Sequence, residues 1–132
     1  MTAPLFTESE LRGLLEREEG QFLEFKSVWD RSDDEPVRLS RRRVRDFIAE
    51  VVAAFANADG GLLLLGVEDD GEPTGHDYAE EAIHEFFAVA ERRLRPAVGC
   101  RVMRISIDGK EVLTFDVPIG AKAAMVDGNG FP

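Results

Sequence analysis

Three acids and one lysine stand where they could act on a phosphodiester: Glu19, Glu24, Lys26 and Asp69. Metal-assisted phosphodiester cleavage needs two or three carboxylates converging on Mg2+ or Mn2+, hard cations that take oxygen ligands, and often a lysine beside them. Glu24 and Lys26 are two apart in the alternating stretch Phe22-Leu23-Glu24-Phe25-Lys26, so on a strand they share a face. Glu19 lies at the junction leading into that strand, close enough along the chain to reach Glu24. Asp69 follows the apolar run Leu62-Leu63-Leu64-Leu65-Gly66-Val67, where a strand leaves its sheet, a common location for site residues. There a cation would neutralise phosphate charge, and Lys26 would orient the phosphate or stabilise the transition state. The plainer reading is solvated surface. Among 26 Asp and Glu, three suggestive positions are not rare; Glu24 and Lys26 could be the wet face of a strand, and Asp69-Asp70-Gly71 only a turn.

Arg38, Arg41, Arg42, Arg43 and Arg45 form the densest positive cluster. If a helix begins at Ser40, three arginines occupy its first turn, where the macrodipole disfavours each cation by about 0.3–1 kcal/mol. A placement that opposes local stability points to a partner anion such as a nucleic-acid phosphate. Two alternatives stay open: Asp33, Asp34 and Glu35 neutralise the cluster, or the helix starts as early as Pro36 and moves the arginines out of its first turn. Arg92, Arg93 and Arg95 close a later helix, where the dipole welcomes cations, so they read as structural. Arg101 and Arg104 fall on opposite faces of a regular strand. Gly60-Gly61 precedes a strand and lacks the Lys-Ser/Thr of a phosphate-binding loop, so it reads as backbone freedom at a tight turn. His76 and His84 have no cysteine at zinc spacing, and the single Cys100 cannot form an internal disulfide. Trp29 either caps the core or stacks on a base.

The elements that must position these residues follow from periodicity. Thr7 and Glu10 form a capping box ahead of Leu11, Leu14 and Leu15, predicting a short helix to about Arg17, with Gly20 as a stop. The strand 22–26 follows, then a polar loop from Asp30 to Pro36. Val44, Phe47, Ile48, Val51, Val52 and Phe55 make the apolar stripe of a second helix. Leu62–Leu65, apolar on both faces, predicts a central strand. Asp77 and Glu80 suggest a capped third helix burying Ile83, Phe86, Phe87, Ala90 and Leu94, with Pro96 beyond its end. Met103, Ile105 and Ile107 alternate on one strand, and Leu113, Phe115 and Val117 alternate with Thr114 and Asp116 on another; Asp108-Gly109 supplies a tight hairpin turn between them. The result is a single-domain α+β fold, a mixed β-sheet packed with helices in the order α-β-α-β-α-β-β.

The 132 residues suffice for one core. No apolar run approaches the roughly 20 residues of a membrane span, and no signal peptide opens the chain, so the expected compartment is cytoplasmic with no membrane partner. The net charge of −10 argues against a protein that coats DNA indiscriminately and leaves room for local phosphate contact. It also permits a dimerisation or protein-interaction domain.

Read as a string, Glu19-x4-Glu24-Phe25-Lys26, Ala54-Phe55-Ala56-Asn57-Ala58-Asp59-Gly60-Gly61, Leu64-Leu65-Gly66-Val67-Glu68-Asp69-Asp70-Gly71 and Gly75 resembles the Schlafen AlbA-like domain family, over about Glu19 to Val117. The resemblance implies the family domain over residues 19–120; the capped helix occupies 1–18, and 121–132, with Gly128, Gly130 and Pro132 and little to pack, reads as a flexible tail leading into a further C-terminal segment. The resemblance also implies a nucleic-acid-binding domain, often the leading module of a bacterial transcriptional regulator. Eukaryotic Schlafen relatives include metal-dependent endoribonucleases of tRNA and rRNA, in which two glutamates five apart and one aspartate hold the cation. By that resemblance Glu19, Glu24 and Asp69 would bind Mg2+ or Mn2+, with Lys26 beside them. The family continues past its last strand to an Arg-x-Gly motif that does not occur before Pro132. Schlafen nucleases also pair two such lobes around RNA, so the resemblance implies a homodimer for a chain with one lobe.

Overall fold

The first helix begins where its capping box says it should. Thr7 accepts the Glu10 N–H, Glu10 returns a bond to the Thr7 N–H, and α1 runs over Glu8–Leu15, two residues short of expectation. The computed structural model describes residues 6–120 and 125–126. After α1 come β1 (Leu23–Lys26), β2 (Trp29–Asp30), β3 (Val37–Arg38), α2 (Arg41–Ala56), β4 (Gly61–Leu65), α3 (Glu80–Arg92), β5 (Leu94–Arg95), β6 (Arg101–Ile107), β7 (Lys110–Val117) and β8 (Met125–Val126). Four strands form the main sheet in the order β1-β4-β7-β6. β1 and β4 are parallel, with Glu24 opposite Leu63 and Lys26 opposite Leu65; the other pairs are antiparallel.

The sheet is covered on both faces because β4 is apolar on both. Leu63 and Leu65 join α2, α3 and the Leu113, Phe115 and Val117 face of β7 in the main core. Leu64 points the other way, into a smaller cluster where α1 contributes Leu11 against Leu23, Phe25, Val67, Ile107 and Val112. Leu23 and Phe25 are buried and Glu24 and Lys26 half-buried, as strand alternation requires. The fold is therefore mixed α+β, with the expected element order extended by short strand pairs.

Three local expectations are corrected. The segment Asp30 to Pro36, read as pure loop, is bounded by a two-residue ribbon, Trp29 against Arg38 and Asp30 against Val37. Asp77 does not cap α3; the N-cap is Ala79 without a side-chain bond, while the Asp77 carboxylate accepts from Arg38. β7 does not alternate between wet and dry faces. Val112 through Phe115 are all buried because β7 lies between β4 and β6, and the Thr114 hydroxyl donates to the Met103 carbonyl. The expected Asp108-Gly109 turn is present, both residues having positive φ. The expected tail lies outside the described residues except for β8, which pairs with β5. Among the described residues no helix is long and apolar enough to cross a membrane.

Candidate functional site

Two glycines control the geometry around the C-terminal ends of β1 and β4. Gly66, at φ +103, turns the chain out of β4 while its N–H donates to the Lys26 carbonyl. Five residues on, Gly71 (φ +90) sits against the end of α1. A Cβ there would lie 2.2 Å from the Leu15 carbonyl oxygen. That approach lays the turn 68–72 on the α1–β1 junction and carries Asp69 toward Glu19.

The result brings the three predicted acids together. The Glu19 carboxyl is partly desolvated and lies within hydrogen-bonding reach of the Glu24 and Asp69 carboxyls; burial first, then these two neighbours, push it up to about 7. Glu19 therefore keeps its proton to much higher pH than a free glutamate does. The donor chemistry suits a hard divalent cation, whose charge would relieve the same repulsion. Among the described residues, however, no three His, Cys, Asp or Glu side chains are disposed as a ready metal-ligating group. Glu19 is the acid that meets both of the others.

Asp69 also belongs to a cleft of about 560 Å3. One side is formed by Lys26 and Ser27 from the end of β1, Trp29 and Arg31 around β2, and Leu39 and Arg43 at the start of α2; Asp30, Glu68, Asp69 and Asp70 add four acids. Lys26 is held with its ammonium 4.7 Å from the centre of the Phe47 ring, a cation–π contact that points it across to α2. Arg31 pairs with Glu68 at 3.2 Å, and Glu68 also accepts from Thr74 at 2.6 Å. Burial alone would raise the Glu68 carboxyl, but the bonds from Arg31, Ser27 and Thr74 hold it below the usual range. Glu68 is thus a structural tie between the β2–β3 ribbon and the turn after β4. Arg31 escaped sequence reasoning because its partner is 37 residues away and nothing local marks it.

The arginine cluster divides. α2 starts at Arg41, N-capped by Ser40, so Arg41, Arg42 and Arg43 do fill a first turn that contains no acid. Arg41 pairs with Glu85, which also accepts from Arg45 at 2.8 Å, so both tie α2 to α3. Arg38 pairs with Asp77 at 3.0 Å and lies over the Tyr78 ring. Asp33, Asp34 and Glu35 neutralise none of the five. Arg43 opens into the cleft near Asp30, whose carboxyl is held below its ordinary range first by the bonds from Ser32 and only lastly by the charge of Arg43. Arg42 is exposed and makes no ion pair with any described residue. Elsewhere Arg93 pairs with Asp46, Arg101 with Asp116, and Arg104 with both Glu80 and Glu111. His76 bonds Glu111 and the Tyr78 N–H, and burial pushes the Cys100 thiol up to about 12, which leaves no thiolate at neutral pH.

A mixed four-stranded sheet covered by helices, with a charged cleft where its parallel strand pair ends, defines an α+β domain whose candidate site lies at strand termini. The chain belongs to the Schlafen, AlbA_2 family, whose model matches residues 19–129. The fold is similar to the solution NMR structure of the N-terminal domain of a protein from Nitrosomonas europaea described as related to the ATP-dependent DNA helicase RecG. That likeness has a TM-score of 0.67 and 23% identity over 97% of this chain and 85% of the other. It is also similar to the crystal structure of the DIP2311 protein from Corynebacterium diphtheriae, with a TM-score of 0.57 and 23% identity over 79% of this chain. This chain spans only 19% of the length of that protein. No curated protein matches the sequence.

Proposed function

We propose that this domain binds nucleic acid through the cationic side of the cleft, using Lys26, Arg43 and the adjacent Arg42. The observation that carries the reading is the first turn of α2. It presents arginines where a helix favours acids, and Arg42 and Arg43 have no salt bridge among the described residues, in a chain of net charge −10. Phosphate oxygens are the complementary ligand for such a turn. Family membership supports the reading, as does likeness to a domain at the front of a RecG-related protein. On that basis the domain serves as a DNA-engaging N-terminal module of a bacterial transcriptional regulator. The test is fluorescence anisotropy with end-labelled oligonucleotides. Arg42→Ala with Arg43→Ala is expected to weaken association about ten-fold or more while leaving the fold intact, since neither side chain braces α3. Absence of association by the wild-type chain at low salt overturns it.

A second reading is favoured by the gathering of Glu19, Glu24 and Asp69 beside that cationic side. In that reading Glu19, Glu24 and Asp69 would have to draw closer to hold Mg2+ or Mn2+, and the cation would supply polarisation of the scissile phosphate. Lys26, on the Glu24 face of β1 and lining the cleft, would hold the phosphate against them. The activity would be endoribonuclease action on structured RNA. It requires Mn2+-dependent cleavage of tRNA that Glu24→Gln abolishes without loss of binding; tRNA left intact with Mn2+ present sinks it.

A further inference from the structure

The charge of the cleft is wrong for a simple phosphate site. Lys26, Arg31 and Arg43 face Asp30, Glu68, Asp69 and Asp70. Arg31 is engaged by Glu68, and Asp30 accepts both the backbone N–H and the hydroxyl of Ser32. The Ser32 bonds favour the charged form of Asp30, so two cations then stand opposite three carboxylates, a balance that gives a bare anion no net attraction. A ligand held here needs more than charge. The cleft offers that in Trp29 and Leu39, which supply an apolar wall.

Trp29 is half-buried, packed on the main core on one side and lining the cleft on the other. Its indole N–H donates to the Gly75 carbonyl at 3.2 Å, so the ring is oriented before any ligand arrives. It stands on the β2–β3 ribbon, which the Arg31–Glu68 pair holds to the turn after β4. A nucleotide matches every part of this lining. Its base has a π-face for the indole and amino groups that can donate to Asp69 or Asp70. Its phosphate can reach Lys26 and Arg43. The volume of about 560 Å3 is that of a small-ligand site, within the usual range of about 300–1,000 Å3. A base paired inside a continuous duplex cannot present its face to such a wall.

We propose that the cleft accepts one unpaired nucleotide, with Trp29 as its stacking wall and Lys26 and Arg43 as its phosphate clamp, so that the domain prefers single-stranded or looped nucleic acid to continuous duplex. The inference rests on the nucleic-acid reading above and names the ligand class of the same site.

Trp29 is the sole tryptophan of the chain, so its emission reports this wall and nothing else. The wild-type chain is titrated with short single-stranded DNA and RNA oligonucleotides, with the corresponding duplexes and with inorganic phosphate, and affinity is measured separately by anisotropy. Single strands are expected to quench the emission and to bind about ten-fold more tightly than duplex; phosphate is expected to leave the emission unchanged. Trp29→Leu should lower single-strand affinity about ten-fold and leave duplex affinity alone, whereas Trp29→Phe, which can still stack, should retain most of it. If Trp29→Leu does not fold, the wild-type quenching and the Trp29→Phe affinity decide the matter. Equal affinity for duplex, or single-strand binding with unchanged emission, overturns this proposal and leaves the nucleic-acid reading standing. Failure to bind any oligonucleotide overturns both.

Discussion

A carboxyl that must share space with two others keeps its proton longer, and Glu19 is the residue where this chain shows it. Its folded-state value of about 7 stands above the ordinary 4.5 of a free glutamate, chiefly through desolvation and then through Glu24 and Asp69. Between those two values the folded protein binds more protons than the unfolded chain. The contribution of Glu19 to stability is therefore fully present below about pH 4.5 and is lost as pH rises through about 7. The carboxylates held low by arginines, such as Glu80 and Asp108, act in the opposite sense, and only in acid: what they contribute is present above their ordinary values and lost as pH falls through their depressed ones. In the window from pH 5 to 8 the Glu19 effect is thus separable from that of these carboxylates. Urea unfolding across that window should show stability falling by about 1 kcal/mol, a figure reduced for solvent screening of a partly exposed group. Glu19→Gln should flatten the profile. An unchanged slope in that variant would place the titration elsewhere.

At the scale of elements, the site depends on a turn being allowed to touch a helix end. Gly71 does this, since any Cβ would meet the Leu15 carbonyl oxygen at 2.2 Å and the backbone conformation itself is left-handed. Gly71→Ala is expected to cost about 2 kcal/mol or more, read as a lower midpoint in thermal unfolding, and to return Glu19 toward an ordinary carboxyl as Asp69 retreats. The helix pair makes a milder prediction. Glu85 holds both Arg41 and Arg45 at a half-exposed position, so Glu85→Ala should cost about 0.5–1 kcal/mol in urea unfolding, and a loss several times larger would mean that the α2–α3 contact depends on this carboxylate far more than its exposure implies. The same elements show what could be read along the chain. The Thr7–Glu10 box, the Asp108-Gly109 turn and the doubly apolar Leu62–Leu65 are local signals, and each specifies its structure within a few residues. Asp77 was misassigned as a cap because Arg38, 39 residues away, takes its carboxylate. Thr114, expected with Asp116 on the polar face of β7, is buried because a strand's second face is covered only once its neighbours are known. The acids could be nominated by spacing, but their meeting depends on Gly71 against Leu15. The arginines could be nominated as a block, but which of them are free depends on where α3 puts Glu81 and Glu85.

Across the whole molecule, a chain of net charge −10 that binds a polyanion must do so against its own field. Two electrostatic effects then oppose each other as salt is added. Contacts from Lys26, Arg42 and Arg43 displace counterions, which makes affinity fall with salt; the long-range repulsion of the remaining acids is screened, which makes association easier. With at most three phosphate contacts, the slope of log affinity against log salt for a single strand should be shallow, about −2. A basic DNA-coating protein would show a far steeper dependence. Removing Arg42 and Arg43 together should bring the slope to about −0.7, the value for one remaining contact. The association rate, in contrast, should rise with salt at low ionic strength, because encounter is governed by the field of the whole surface and not by the cleft. Stopped-flow measurement of Trp29 emission on mixing with a single strand reads rate and affinity in one experiment. A steep negative slope, or an association rate that falls from the lowest salt onward, would mean that a larger cationic surface than this cleft meets the nucleic acid.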